Sequence, residues 1–411
     1  MLNLPVRACH IKDSVSAGYR AWPRNTRRLA MRSMRGTIAS VLVVGSFGFC
    51  SAAAIGDDRD PVDWSAYERW WLKGLPPATR DESRLKVYDP GKAISFLGGV
   101  ALKWTRQNRC GTCHTNLPYL MARPTTRETK TDSKSSEIRR LLLAYSSERM
   151  LKPDEFIAMT VGPIASALAL NDAFTTGKLD FQVRNLLDYV LRIQSAQGGW
   201  QYPTPPFLLP FLERDRAYLA YLVALGVGYA PGRYYEATSA RVGFGKLQSF
   251  IRHHLPANAH DKAVLLWASV RTPGLLSSAE QADYENELRG LQNRDGGWTL
   301  PSMGEWHRHD GAPNSPKGES DGYATGLVTL VLCERGSISS SSSIHRAIEW
   351  LKNNQRVSGR WFTRSLYSDR FKNYLSNMGT AYALMAINLC AGTELLDHGN
   401  AAVAALPESR R

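Results

Sequence analysis

The chain has 411 residues, 43% of them hydrophobic, which is enough to bury a large core and too apolar for a disordered chain. Its formal charge is +14, but residues 1–54 hold eight Lys and Arg against one Asp, so the net falls by 7 to +7 beyond them. That excess is dispersed without a basic block, which argues against nucleic acid as a partner and leaves an anionic membrane surface as a contact only.

The N-terminal part reads as an export signal. A basic run, RNTRRLAMRSMR, precedes an apolar stretch from Ile38 to Phe49 and then SAAA, the three parts of a Sec-type leader with cleavage near Ala54. A start at Met31 instead of Met1 would keep the same signal. An uncleaved anchor is the alternative, although the apolar stretch is short against the roughly 18–20 residues of a membrane span, and no later segment approaches that length without interruption. The expected organisation is a leader at 1–54, one domain over 55–395 with a haem motif at 110–114, and a tail at 396–411. The expected location is the periplasm or the outside of the cell, not the membrane interior.

Next along the chain, AISFLGGVALKW predicts a helix, and RCGTCHTNLPYLM follows it. Cys110, Cys113 and His114 form C-x-x-C-H, the attachment pattern of haem c: two thiols bond the porphyrin edge and the adjacent His ligates the iron. A disulfide between Cys110 and Cys113 is the competing reading. A structural zinc site wants a second such pair, and a redox dithiol wants a βαβ setting; neither is present. Met121, Met150, Met159, His307 and His309 are candidates for the distal iron ligand, which the sequence leaves undetermined. Cys333 and Cys390 fall in helical segments, either as buried apolar groups or as a pair.

Beyond this point the chain reads as helix throughout. VRNLLDYVLRIQ places Val183, Leu186, Leu187, Val190 and Leu191 on one helical face, and IHRAIEWLKNNQ does the same with Ile344, Ala347, Ile348 and Leu351. Ser277 and Glu280 form a capping-box pattern, and the fold class is all-α. Three helix ends share the pattern Q-x-x-x-G-x-W: Gln194 to Trp200, Gln292 to Trp298, and Gln355 to Trp361. Each has a Gln to satisfy free backbone groups, a Gly to reverse the chain and a Trp to cover the junction. A helix rich in small residues follows each corner, so the order is outer helix, corner, inner helix. The loop EWHRHDG, with His307, His309 and Asp310, reads as a solvated loop in preference to a metal site.

These three corners resemble the QW repeats of the squalene-hopene cyclase and prenyltransferase superfamily. The resemblance implies an α/α toroid, a ring of helical hairpins with inner and outer helices around an apolar cavity, in which C-x-x-C-H occupies the place of a corner. It also implies an acidic run at the start of an inner helix, D-x-D-D in the cyclases; here Glu319 and Asp321 match it in part and Gly322 breaks it. The prenyltransferase zinc set has no counterpart. Three functions are expected from this reading. The first is haem-based oxidation or electron transfer with an apolar, isoprenoid-like ligand and a periplasmic redox partner. The second is proton-initiated cyclisation by Asp321 with Glu319 in support, and the third is non-enzymatic binding of a lipid or terpenoid.

Overall fold

The computed structural model describes residues 77–112, 114–126, 132–201, 217–308, 310–336, 342–369 and 374–404, the last fourteen as helix backbone. The leader, its cleavage point, Cys113 and His309 lie outside the described residues. Among the described residues there are twelve α-helices and no strand, only an isolated antiparallel bridge between Arg84 and Arg356.

The helices alternate between two environments. The outer set is α1 (Pro90–Asn108), α3 (Ser133–Leu151), α5 (Phe181–Arg192), α7 (Thr238–His253), α9 (Ser278–Gly290) and α11 (Ser342–Asn353). The inner set is α2 (Asn116–Ala122), α4 (Ile157–Thr175), α6 (Tyr218–Tyr229), α8 (Ala259–Arg271), α10 (Gly322–Glu334) and α12 (Tyr374–Ala404). Outer helices bury one stripe: α5 buries Val183, Leu186, Leu187, Val190 and Leu191, the face expected from the sequence. Inner helices have neighbours on all sides, and α10 buries every residue from Gly322 to Cys333. For the same reason α4 is long and apolar enough to cross a membrane by composition, yet two-thirds of it is buried inside the protein.

Each inner helix packs against the next, α2 on α4, α4 on α6, α6 on α8, α8 on α10 and α10 on α12, and α12 returns to α2. The fold is an α/α toroid of six hairpins. Its last joint carries a disulfide, Cys333–Cys390, between α10 and α12, with Cα atoms 5.5 Å apart.

The three corners brace this ring. In each, the Gln side chain donates to the corner glycine's carbonyl: Gln194 to Gly198 and Gln292 to Gly296 at 2.8 Å, Gln355 to Gly359 at 2.9 Å. The indole N–H of each Trp donates back to a helix carbonyl, Trp200 to Val190, Trp298 to Leu288 and Trp361 to Leu351. The glycine at each turn has φ between 91° and 94°, and a Cβ on Gly359 would lie 2.4 Å from the carbonyl oxygen of Lys92 on α1. Corners therefore lean on the next outer helix. The third one closes the circle, since Gln355 exchanges two 2.8 Å hydrogen bonds with the backbone of Asp89, the N-cap of α1.

Candidate functional site

Ring contacts between their first residues show that inner helices α6, α8 and α10 begin at a common rim. Asn258 caps α8 through the backbone N–H of Asp261, and its amide also holds the Asp261 carboxylate at 2.9 Å. Fixed in this way, Asp261 lies 2.7 Å from Nδ1 of His260, and Nε2 of His260 lies 2.9 Å from the hydroxyl of Tyr323 on α10. A carboxylate only accepts, so Nδ1 carries the hydrogen and Nε2 is left to accept from the phenol. The three side chains are at most 1% exposed, and Tyr323 and His260 are wholly buried.

Aromatic rings enclose the pair. Tyr218 at the start of α6 lies 5.6 Å from the His260 ring, and Trp306 stands edge-on to it at 6.0 Å. Tyr382 from α12 meets Tyr323 at 5.2 Å in a T-shaped contact. Trp306 belongs to the segment between α9 and α10, and its indole N–H donates to the carbonyl of Leu300. An acid–base pair, a charge that fixes its tautomer and flat apolar walls are thus assembled from four inner helices and one connecting segment.

The acids expected from the sequence are not gathered in one cluster. Asp321 is the N-cap of α10 and accepts from the backbone N–H groups of Leu300, Tyr323 and Ala324 and from the hydroxyl of Thr363. Burial pushes its carboxyl up to about 6 despite these donors. Glu319 is exposed and pairs with Arg80. A proton donor strong enough for an alkene needs a stabilised conjugate base, whereas burial makes Asp321 a weaker acid than usual, and Glu319 faces solvent.

At the corner between α1 and α2, Asn116 ties the cysteine loop together. Its side chain accepts from Thr112 N–H and donates to the carbonyl of Cys110 and the hydroxyl of Thr105. The His114 ring is packed 5.0 Å from Trp104 and 6.3 Å from Tyr374, and burial lowers its pKa to about 3, so it is neutral. The Nε2 atom of His114 is buried. Of the other proposed ligands, His307 is exposed, and Met121, Met150 and Met159 are half-buried. Among the described residues no three His, Cys, Asp or Glu side chains gather as metal ligands, and Asp310 is engaged by Arg308.

His260 and Asp261 were not singled out by the sequence reading. The signal was present in NAHDKAV, a His beside the acid of a helix-capping Asn-x-x-Asp, and Tyr323 directly follows Gly322 of the acidic run. Nothing local links them, because 63 positions separate His260 from Tyr323.

No protein-family model and no curated protein matches the chain. Among solved structures it is similar to an unsaturated glucuronyl hydrolase from Bacillus sp. GL1, responsible for degradation of glycosaminoglycan. The identity is 13% and the TM-score 0.47, over 73% of this chain and 96% of that one. It is also similar to a glycosyl hydrolase family 88 protein from Bacteroides vulgatus, at 12% identity and a TM-score of 0.36, over 75% and 93% of the two chains. A polysaccharide lyase aligns at 13% identity with a TM-score of 0.34, over 83% and 96%. These findings correct the family expectation: the three structures named are glycosyl hydrolases and a polysaccharide lyase, and not squalene cyclases or prenyltransferases. The functions expected above, haem redox chemistry on an apolar ligand, terpenoid cyclisation and terpenoid binding, are corrected with it, and the separation of Asp321 from Glu319 gives the physical reason for the second.

Proposed function

We propose that the protein is an exported enzyme that cleaves an acidic polysaccharide by elimination, with Tyr323 and His260 as its acid–base pair. The observation that supports this reading is the Asp261–His260–Tyr323 chain, a polar relay buried among aromatic rings where inner helices begin. In a uronic-acid residue the hydrogen beside the carboxylate is acidic enough for such a base. Tyr323 passes its proton to His260 and then takes that hydrogen. The C–H electron pair becomes a carbon–carbon double bond, the adjacent glycosidic C–O bond breaks, and the leaving oxygen is protonated by the pair. Asp261 holds the imidazole in the required tautomer and supports its charged form.

Hydrolysis by a pair of carboxyl groups is disfavoured because Asp321 is occupied in capping and Asp261 in orienting His260. The net positive charge beyond the leader suits an anionic polymer. Export is supported by the leader and by a disulfide that an oxidising compartment sustains. The test is incubation of the purified protein with polygalacturonate, alginate and hyaluronan, followed by the ultraviolet absorbance of the unsaturated product. Product is expected with at least one of them and is lost in Tyr323→Phe and His260→Ala; no product with any, or full activity in Tyr323→Phe, overturns the reading.

A further inference from the structure

Asp321 divides its two carboxylate oxygens between separate parts of the site. Oδ1 accepts from the backbone N–H groups of Tyr323 and Ala324 at 3.0 Å and from the hydroxyl of Thr363 at 3.1 Å. Oδ2 accepts from the N–H of Leu300 at 2.5 Å, 21 positions earlier in the chain. Leu300 opens the short turn Leu300–Met303, and its carbonyl in turn receives the indole N–H of Trp306 at 3.1 Å. One arm from Asp321 thus leads through Tyr323 to Nε2 of His260, and the other leads through Leu300 and Trp306 to the same imidazole ring. The two arms meet at His260 and make a closed circuit of contacts around the acid–base pair.

Capping alone does not call for this arrangement. An N-cap needs one oxygen on the first-turn N–H groups, which Oδ1 supplies, whereas the second oxygen is buried here and holds a different segment. All four partners are donors, and only a carboxylate offers two accepting oxygens with no hydrogen of its own. Bonds to a charged acceptor are also roughly twice as strong as neutral ones, which suits a tie between two segments. We infer that Asp321 is a positioning residue for the elimination, holding Tyr323 and the Trp306 wall in one register so that phenol and imidazole stay aligned. The inference rests on Tyr323 and His260 acting as the acid–base pair and adds the group that sets their alignment. Of the two acids in the run before α10, Asp321 therefore serves the site as an acceptor and not as a proton donor, while Glu319 stays outside it.

The experiment compares the full protein with Asp321→Asn at pH 7, where Asp321 is ionised. Asn caps a helix as well as Asp does but has a single accepting oxygen. The three donors on Oδ1 hold that oxygen in place, which turns the amide nitrogen towards Leu300 and breaks only the second arm. Hydrogen–deuterium exchange read by mass spectrometry is expected to become about tenfold faster in residues 299–306 and to stay unchanged in residues 322–326. On the polysaccharide that wild type cleaves, kcat is expected to fall about tenfold while KM stays within about twofold, because Trp306 packs on the imidazole. Exchange that rises equally in both segments, or in neither, overturns the inference and leaves Asp321 a cap alone. An unchanged kcat overturns it too. Should Asp321→Asn fail to fold, Asp321→Ser, also a good cap with one oxygen, is read in the same way. Wild type that gives no product fails the elimination reading whatever the exchange shows, whereas faster exchange with unchanged kcat fails this inference alone.

Discussion

Two buried titrating side chains pull stability in opposite directions with pH. Asp321 has its carboxyl raised from 3.8 to about 6 by burial. The stability it contributes is complete below about 4 and disappears as pH rises through about 6, a difference on the order of 3 kcal/mol. His114, lowered to about 3 by burial, acts in reverse, since the unfolded chain binds a proton below about 6.5 that the folded protein refuses. Thermal unfolding between pH 4 and 8 separates them. Between pH 6 and 4 the two nearly cancel in wild type, so Asp321→Ala should uncover a decline in stability towards low pH due to His114; a curve identical to wild type would show that Asp321 is not held as described.

Among the elements, the corners are the most sensitive points. Gly359→Ala places a Cβ against Lys92 at a residue with φ of 94°, and should cost about 1–3 kcal/mol, measured by urea unfolding. The same change at Gly177, also at positive φ but with open space around it, should cost less. Corners and helices were legible in the sequence because their signals are local: a 3.6-residue period and a Gln, Gly and Trp at fixed offsets. The site was not. C-x-x-C-H is a spacing, and spacing says nothing about whether Nε2 of His114 opens onto a cavity or is enclosed. His260 and Tyr323 meet only because α8 and α10 are adjacent in the ring, and the acidic run was read as a reacting cluster although Glu319 turns outward to Arg80.

At the scale of the whole molecule, the disulfide between α10 and α12 spans a separation of 57 residues. By loop-closure entropy its removal should cost on the order of 4 kcal/mol, an effect that Cys333→Ala/Cys390→Ala would show as a lower denaturation midpoint. The ring itself is closed at a different place. Glu82 accepts from Arg360 on the last corner, Arg356 donates to the carbonyl of Glu82, and Gln355 holds Asp89. These partners are 266 to 278 positions apart, so the clasp involves nearly the two ends of the folded chain. A ribosome therefore makes the first half of the fastening long before the second exists, and until the final corner emerges α1 has nothing to close against. A product truncated before Gln355 would be an open arc with its innermost helices exposed. Such a late-closing chain suits the export proposed above, in which polypeptide is threaded unfolded and the circle is completed once, on the far side.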